Sequence, residues 1–164
     1  MYSFYRCEES KNVEELLFLL MKKARKERLS VSVCFANRTN FEDFSRKIWY
    51  SGQVLAHGLP EDGFLDLQPI VFDLVLHKKD VAIILFSAIQ AGFVKFSEIL
   101  NYSKVLFIDD LATNDRSVFE ADFFVEIRNF AVKNHEKIRF WKFSRSKSNV
   151  AWENIDLNQF FIGF

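Results

Sequence analysis

The stretch "VAIILFS", residues 81–87, decides the fold. Six apolar side chains follow one another with no polar position among them, so neither the two-residue alternation of a half-exposed strand nor the helical period is present. A run this short and this continuous is the signature of a strand covered on both faces, which is how parallel sheets are built. A second such run, "KVLFID" (104–109), follows within the length of one crossover. Working outward, "PIVFDLVL" (69–76), "VSVCF" (31–35) and "YSFYR" (2–6) supply further strands. Between them lie segments with helical spacing. Asn12 and Glu15 form an N-cap pattern ahead of Val13, Leu16, Leu17, Leu20 and Ala24, and Thr39 with Glu42 opens a second helix carrying Phe41, Phe44 and Ile48 on one face and Trp49 at its end. A looser segment spans 50–68, and a final long helix is expected from near Asp115 toward Phe143. Strand and helix in alternation predict a three-layer α/β sandwich, Rossmann-like, with a mostly parallel central sheet and right-handed crossovers.

The chain has 164 residues, enough for a real core, and neither repeats nor a linker divide it, so one domain over 1–164 is expected. At 49% hydrophobic it is too apolar for a disordered chain. Twenty-two cations balance 22 acids, and that balance argues against binding nucleic acid over the whole surface, which depends on a basic excess. Cys7 and Cys34 show no paired spacing, there is no apolar leader, and no run approaches a membrane span. A cytoplasmic protein that does not enter a membrane is the expectation.

An open α/β sheet raises the question of a nucleotide, but the five glycines form neither G-x-G-x-x-G nor G-x-x-x-x-G-K. No cofactor is expected. Asp109 and Asp110 end a buried strand, where an acid pair can hold Mg²⁺; as turn-forming and helix-capping residues they need no metal. His57, His77 and His135 stand at no metal-ligand spacing, and His57, beside the acids of "LAHGLPED", has no visible nucleophile to serve. No catalytic constellation appears, and a non-enzyme is expected.

The concentrated chemistry lies in "EKIRFWKFSRSK" (136–147), with five cations and three aromatic rings in twelve positions. As a helix it places Ile138 and Trp141 on one face and Lys137, Phe140 and Phe143 on another, with Arg139 and Lys142 neighbours. Rings packed inward with snorkelling cations account for the pattern. So do two binding functions: a module for single-stranded nucleic acid, and a site for an acidic peptide with an apolar anchor.

In the order of its segments the chain resembles the chi subunit of the bacterial DNA polymerase III holoenzyme. The resemblance is carried by Phe4-Tyr5 on the first strand, "VEELLFLLMKKA", "VSVCFAN", "FEDFSRKIW" ending in Ile48-Trp49, "AHGLPED" before Gln68-Pro69-Ile70, and the basic-aromatic "HEKIRFWK". Ala56 stands where the family has proline before its histidine, and "NQFFIGF" (158–164) runs past the short last strand expected around "NVAW". The resemblance implies a non-catalytic adaptor with no nucleotide. Its implied partners are a psi-like subunit of the clamp loader and the acidic C-terminal tail of single-stranded-DNA-binding protein, so that DNA is reached only indirectly. It further implies a peptide site of Trp49, Lys137, Arg139, Phe140, Trp141 and Lys142.

Overall fold

The structure, a computed structural model, describes residues 1–7, 9, 12–52, 55–111, 122–147 and 149–156. In chain order these form β1 (Tyr2–Cys7), α1 (Val13–Lys26), β2 (Val31–Cys34), α2 (Arg38–Tyr50), a 3₁₀ turn (Pro60–Asp62), β3 (Ile70–Asp73), β4 (Val81–Leu85), α3 (Phe86–Gln90), α4 (Phe96–Ile99), β5 (Lys104–Asp109), α5 (Asp122–Lys133), β6 (Ile138–Arg145) and β7 (Val150–Ile155). The strands make one seven-stranded sheet in the order β3-β2-β4-β5-β1-β6-β7. All neighbours are parallel except β7, which runs antiparallel to β6. The expected three-layer α/β sandwich is the architecture found.

Each face of the sheet has its own core. On the first face, Val31, Val33, Ile70, Phe72, Ile83 and Ile108 pack under α1 and α2. On the second, Phe4, Ile84, Val105 and Phe107 pack under α3, α4 and α5. The link from β3 to β4 has no helix. Residues 74–80 pass over β2 in an extended course, and about seven residues at roughly 3.3 Å each suffice to return along a four-residue strand. They are tied down by polar bonds instead: the Cys34 thiol donates to Leu74 O, the His77 N–H to Ser32 Oγ, and the Tyr102 hydroxyl to His77 O.

Several boundaries differ from the sequence expectation. The cap of α2 is Asn37, whose side chain accepts the Asn40 N–H at 2.9 Å, two residues ahead of Thr39. The strand expected over 69–76 shortens to Ile70–Asp73, and the run 81–87 turns helical at Phe86. The larger correction is at the C-terminal side. The expected helix toward Phe143 ends at Lys133, and Ile138–Arg145 is a strand. The helix stops where the Glu136 N–H donates back to Ala131 O and His135 takes φ 53°, a left-handed stop usually built on glycine. With His in that place the sequence carries no stop signal. Ile138 and Phe140 then join the second core, while Phe143 and Trp141 join the first. A strand with apolar side chains on both faces shows no clean alternation, so its residues also fit a helical period. The helix start expected near Asp115 and the tail 158–164 lie outside the described residues.

Candidate peptide-binding groove

Seven strands at about 4.8 Å spacing span roughly 29 Å, whereas two helices, each about 10 Å wide, cover about 20 Å. On the first face α2 packs toward β3 and α1 toward β5, so among the described residues no helix is centred over the β6–β7 margin. Trp141 of β6 and Val150 and Trp152 of β7 are therefore only partly covered on this face, while Phe143 is buried. The result is a groove of about 520 Å³ lined by Tyr5, Leu19, Leu20, Lys23, Trp141, Val150 and Trp152.

Its floor is aromatic. The Tyr5 and Trp141 rings lie 6.5 Å apart and 12° from parallel, and Trp152 meets Tyr5 edge-on at 6.0 Å and Phe143 at 5.0 Å. Its wall is the Leu19–Leu20–Lys23 side of α1. Pleating puts Arg139 on the same face as Trp141, two residues away, and its charge acts on the Tyr5 hydroxyl. Burial raises the Tyr5 pKa, against a hydrogen bond from Ser3 and the Arg139 charge. Lys137 is exposed just before β6. Among the described residues no salt bridge engages Lys23, Lys137 or Arg139, whereas Arg145 pairs with Glu15. The Trp141 Nε1 is buried without a hydrogen-bond partner among the described residues. Chemically this is an apolar slot with a cationic margin, of a size that accepts a large side chain.

The sequence-predicted site is therefore divided. Trp141 lines the groove and Arg139 shares its strand face, while Lys137, exposed just before β6, is not among the lining residues. Phe140 points to the other face and stacks on Phe4 at 5.2 Å, and Lys142, two residues on, shares that face. Trp49 is 66% exposed at the end of α2 and leans on His57, which stacks on Phe72 of β3. β3 is the opposite edge of the sheet, five strand positions from β6 or about 24 Å. Tyr5, Leu19, Leu20, Lys23, Val150 and Trp152 were not anticipated. Their signals were the alternation of Ser3 and Tyr5 on the first strand, the i,i+4 pair Leu19 and Lys23, and Trp152 in the last strand.

Other candidate groups are engaged structurally. The Asp109 carboxylate accepts from Arg6 at 2.7 and 2.9 Å, and Asp110 accepts from the Ser87 N–H and hydroxyl. Burial raises the pKa of both acids. His57 lies buried, with Nδ1 2.7 Å from Leu55 O and Nε2 2.7 Å from Ser45 Oγ. Because a carbonyl only accepts, the neutral ring carries its proton on Nδ1 and takes the Ser45 hydroxyl proton at Nε2. Among the described residues no three His, Cys, Asp or Glu side chains are placed to hold a metal ion.

Other depressions lie elsewhere on the described residues. A crevice of about 300 Å³ at the carboxyl ends of β2 and β4, where the connections leave to opposite faces, presents Glu14, Asp43 and Asp110, and its Lys47 is paired with Glu14. Such walls oppose a phosphate. A cavity of about 1080 Å³ beside Ser30, Asp80 and Tyr102 is broad and mixed in charge. Lys79 there is held by the carbonyls of Leu65, Asp66 and Gln68, and Asp80 by Ser30, so its polar groups serve the fold.

No described helix is long and apolar enough to cross a membrane. The chain matches no known family model, and no curated protein matches it.

Proposed function

We propose that this chain is a non-catalytic adaptor of the chi type, an accessory subunit of a DNA polymerase III holoenzyme that acts in the cytoplasm. In this reading it holds the acidic C-terminal tail of single-stranded-DNA-binding protein and joins the clamp loader through a psi-like subunit. The observation that carries the reading is the groove: two tryptophans and a tyrosine beside Lys23 and Arg139, suited to an apolar terminal side chain flanked by carboxylates. The engagement of Asp109, Asp110 and His57 in the fold supports a role without catalysis. The psi-like subunit takes a separate surface. Trp49, Tyr50, Phe64 and Leu67, all exposed, lie on the end of α2 and on the segment toward the β3 edge, away from the groove. Covering about 800 Å² per partner there matches an ordinary heterodimer.

Exposed charge-assisted contacts contribute little each, so one anchored ring with a few cations gives micromolar affinity, about −8 kcal/mol. The test is a calorimetric titration with three probes: an aspartate-rich peptide ending in Pro-Phe, the same peptide lacking its Phe, and a bare oligonucleotide. Only the first binds. Lys23→Glu and Arg139→Glu each weaken it about tenfold, while Lys142→Ala, on the other face, leaves it unchanged. Tight oligonucleotide binding with a steep salt dependence and no peptide binding would instead establish the direct single-strand module and overturn the adaptor.

A further inference from the structure

The two edges of the sheet are finished differently. At β3 the edge is short and covered: the Gly58 N–H donates to Ile70 O and Gly58 O accepts from Phe72 N–H, so Gly58 occupies the outer side of the strand. A Cβ at this glycine would sit 2.7 Å from Gln68 Cγ, so the closure requires glycine. At the other end β7 pairs with β6 alone among the described residues. It is six residues long, contains no proline, and its one charge, Glu153, alternates with Trp152 and so faces away from the groove. Natural sheets usually blunt an open edge with inward charge, proline or a covering segment. Among the described residues none of these finishes β7.

The open edge adjoins the groove, because Val150 and Trp152 belong to both. In an antiparallel pair alternate residues turn N–H and C=O outward, so β7 offers a ladder beside an apolar slot. Lys23 lines the groove, Arg139 shares the Trp141 face of β6, and Lys147 stands at the β6–β7 turn beside Arg145, which is paired with Glu15. Positive margin, open ladder and aromatic slot fit a single occupant.

We infer that β7 receives an extended acidic peptide segment of a partner protein as an eighth strand, with backbone bonds to the edge and the peptide's apolar side chain laid over Trp152 into the groove. This rests on the adaptor reading and adds the mode of binding. Main-chain pairing then supplies affinity and the slot supplies selectivity.

The experiment uses the full chain and the aspartate-rich peptide ending in Pro-Phe. Amide exchange followed by NMR shows alternate β7 amides slowed about tenfold or more on peptide addition, with the β3 amides unchanged. Peptides N-methylated at every second backbone position lose about tenfold in affinity in one phase and keep it in the other. Peptide binding with unaltered β7 exchange, and tolerance of N-methylation everywhere, overturns the eighth strand while leaving the adaptor standing. Failure of the peptide to bind at all removes both. β7 amides already protected without peptide also overturn it: concentration-dependent protection makes a second copy of the chain the occupant, and concentration-independent protection makes it a segment of the same chain.

Discussion

The ring of Phe140 lies 5.2 Å from that of Phe4 and 21° from parallel, and Phe4 in turn stacks on Phe107 at 4.7 Å. The three residues share one rung of β5, β1 and β6, since Phe4 is in register with both partners. Phe4 is buried and also meets Phe124 at 5.8 Å. Truncating the middle ring opens a cavity that its neighbours cannot fill. Phe4→Ala therefore costs about 3–5 kcal/mol and Phe140→Ala, at the half-buried end of the stack, about 2–4 kcal/mol. Urea unfolding measures both. Peptide affinity of the folded Phe140→Ala protein stays at the wild-type value, and a loss there would place Phe140 in the binding site after all.

Trp141 offers a case where size and polarity oppose each other. Its Nε1–H is buried and unmet among the described residues, which costs about 1–3 kcal/mol, while its ring stacks on Tyr5. Trp141→Phe removes the donor along with part of the apolar area. The two terms nearly cancel, and the midpoint of denaturation shifts by less than about 1 kcal/mol in stability terms. Trp141→Ala keeps none of the ring and costs about 3 kcal/mol. A Phe variant as unstable as the Ala variant would mean that the indole N–H has a partner in solution.

These two residues also explain what the sequence conveyed. The run 104–109 was legible as β5 to the residue because it is short and continuously apolar between charged ends, and the first helix as far as its apolar positions because they follow one helical period. The stretch 136–147 was legible as chemistry and illegible as geometry. Cations and rings adjacent in the chain are sent to opposite faces by the strand pleat, so Trp141 reaches the groove and Phe140 the core. No local signal distinguished that strand from a helix, because the helix stop rests on His135 and both strand faces are apolar. The open margin beside α1 depends on how many strands two helices can roof, which only the assembled sheet decides.

Asp80, just before β4, is tied to the start of β2 through Ser30, accepting its N–H at 2.8 Å and its hydroxyl at 2.7 Å. The backbone and hydroxyl bonds hold its pKa below the ordinary 3.8. A depressed acid contributes stability that is fully present above its unfolded value and is lost as pH falls through the folded one. Wild type therefore loses this contribution below about pH 3.8. Asp80→Asn is less stable near neutrality, and its melting temperature converges on wild type as the solution becomes strongly acidic. A constant difference across that range contradicts the assignment. The carboxylate is exposed, so the effect is small and falls with salt.

Both thiols are suppressed by their surroundings. Burial, with Asp109 near Cys7 and Asp73 near Cys34, pushes each up to about 12. At pH 8 the thiolate fraction is on the order of one in ten thousand, against about one in four for a free cysteine. A disulfide reagent added to native protein thus modifies neither residue on a timescale of minutes, and both react at once in denaturant. Rapid reaction of Cys7 alone in the native protein would show that the carboxyl end of β1 opens to solvent.

Beside Cys7, the Arg6–Asp109 pair joins the ends of β1 and β5 with both side chains mostly buried, at 13% and 7% exposure. Burial disfavours both charges, lowering the Arg6 pKa and raising that of Asp109, and each is held in its charged form by the other. Removing one partner leaves the other charged and unpaired in a low-dielectric site, at a cost of about 3–5 kcal/mol. Arg6→Met and Asp109→Leu are each destabilising by that amount. The double variant replaces the pair with apolar groups and recovers most of the loss, so the cycle returns a coupling of about 2 kcal/mol or more. If the single losses simply add, the pair is independent of its burial and its ionic bond does not hold these strand ends. The same variants separate structure from chemistry. If Asp109 serves only the fold, the double variant binds peptide as wild type does.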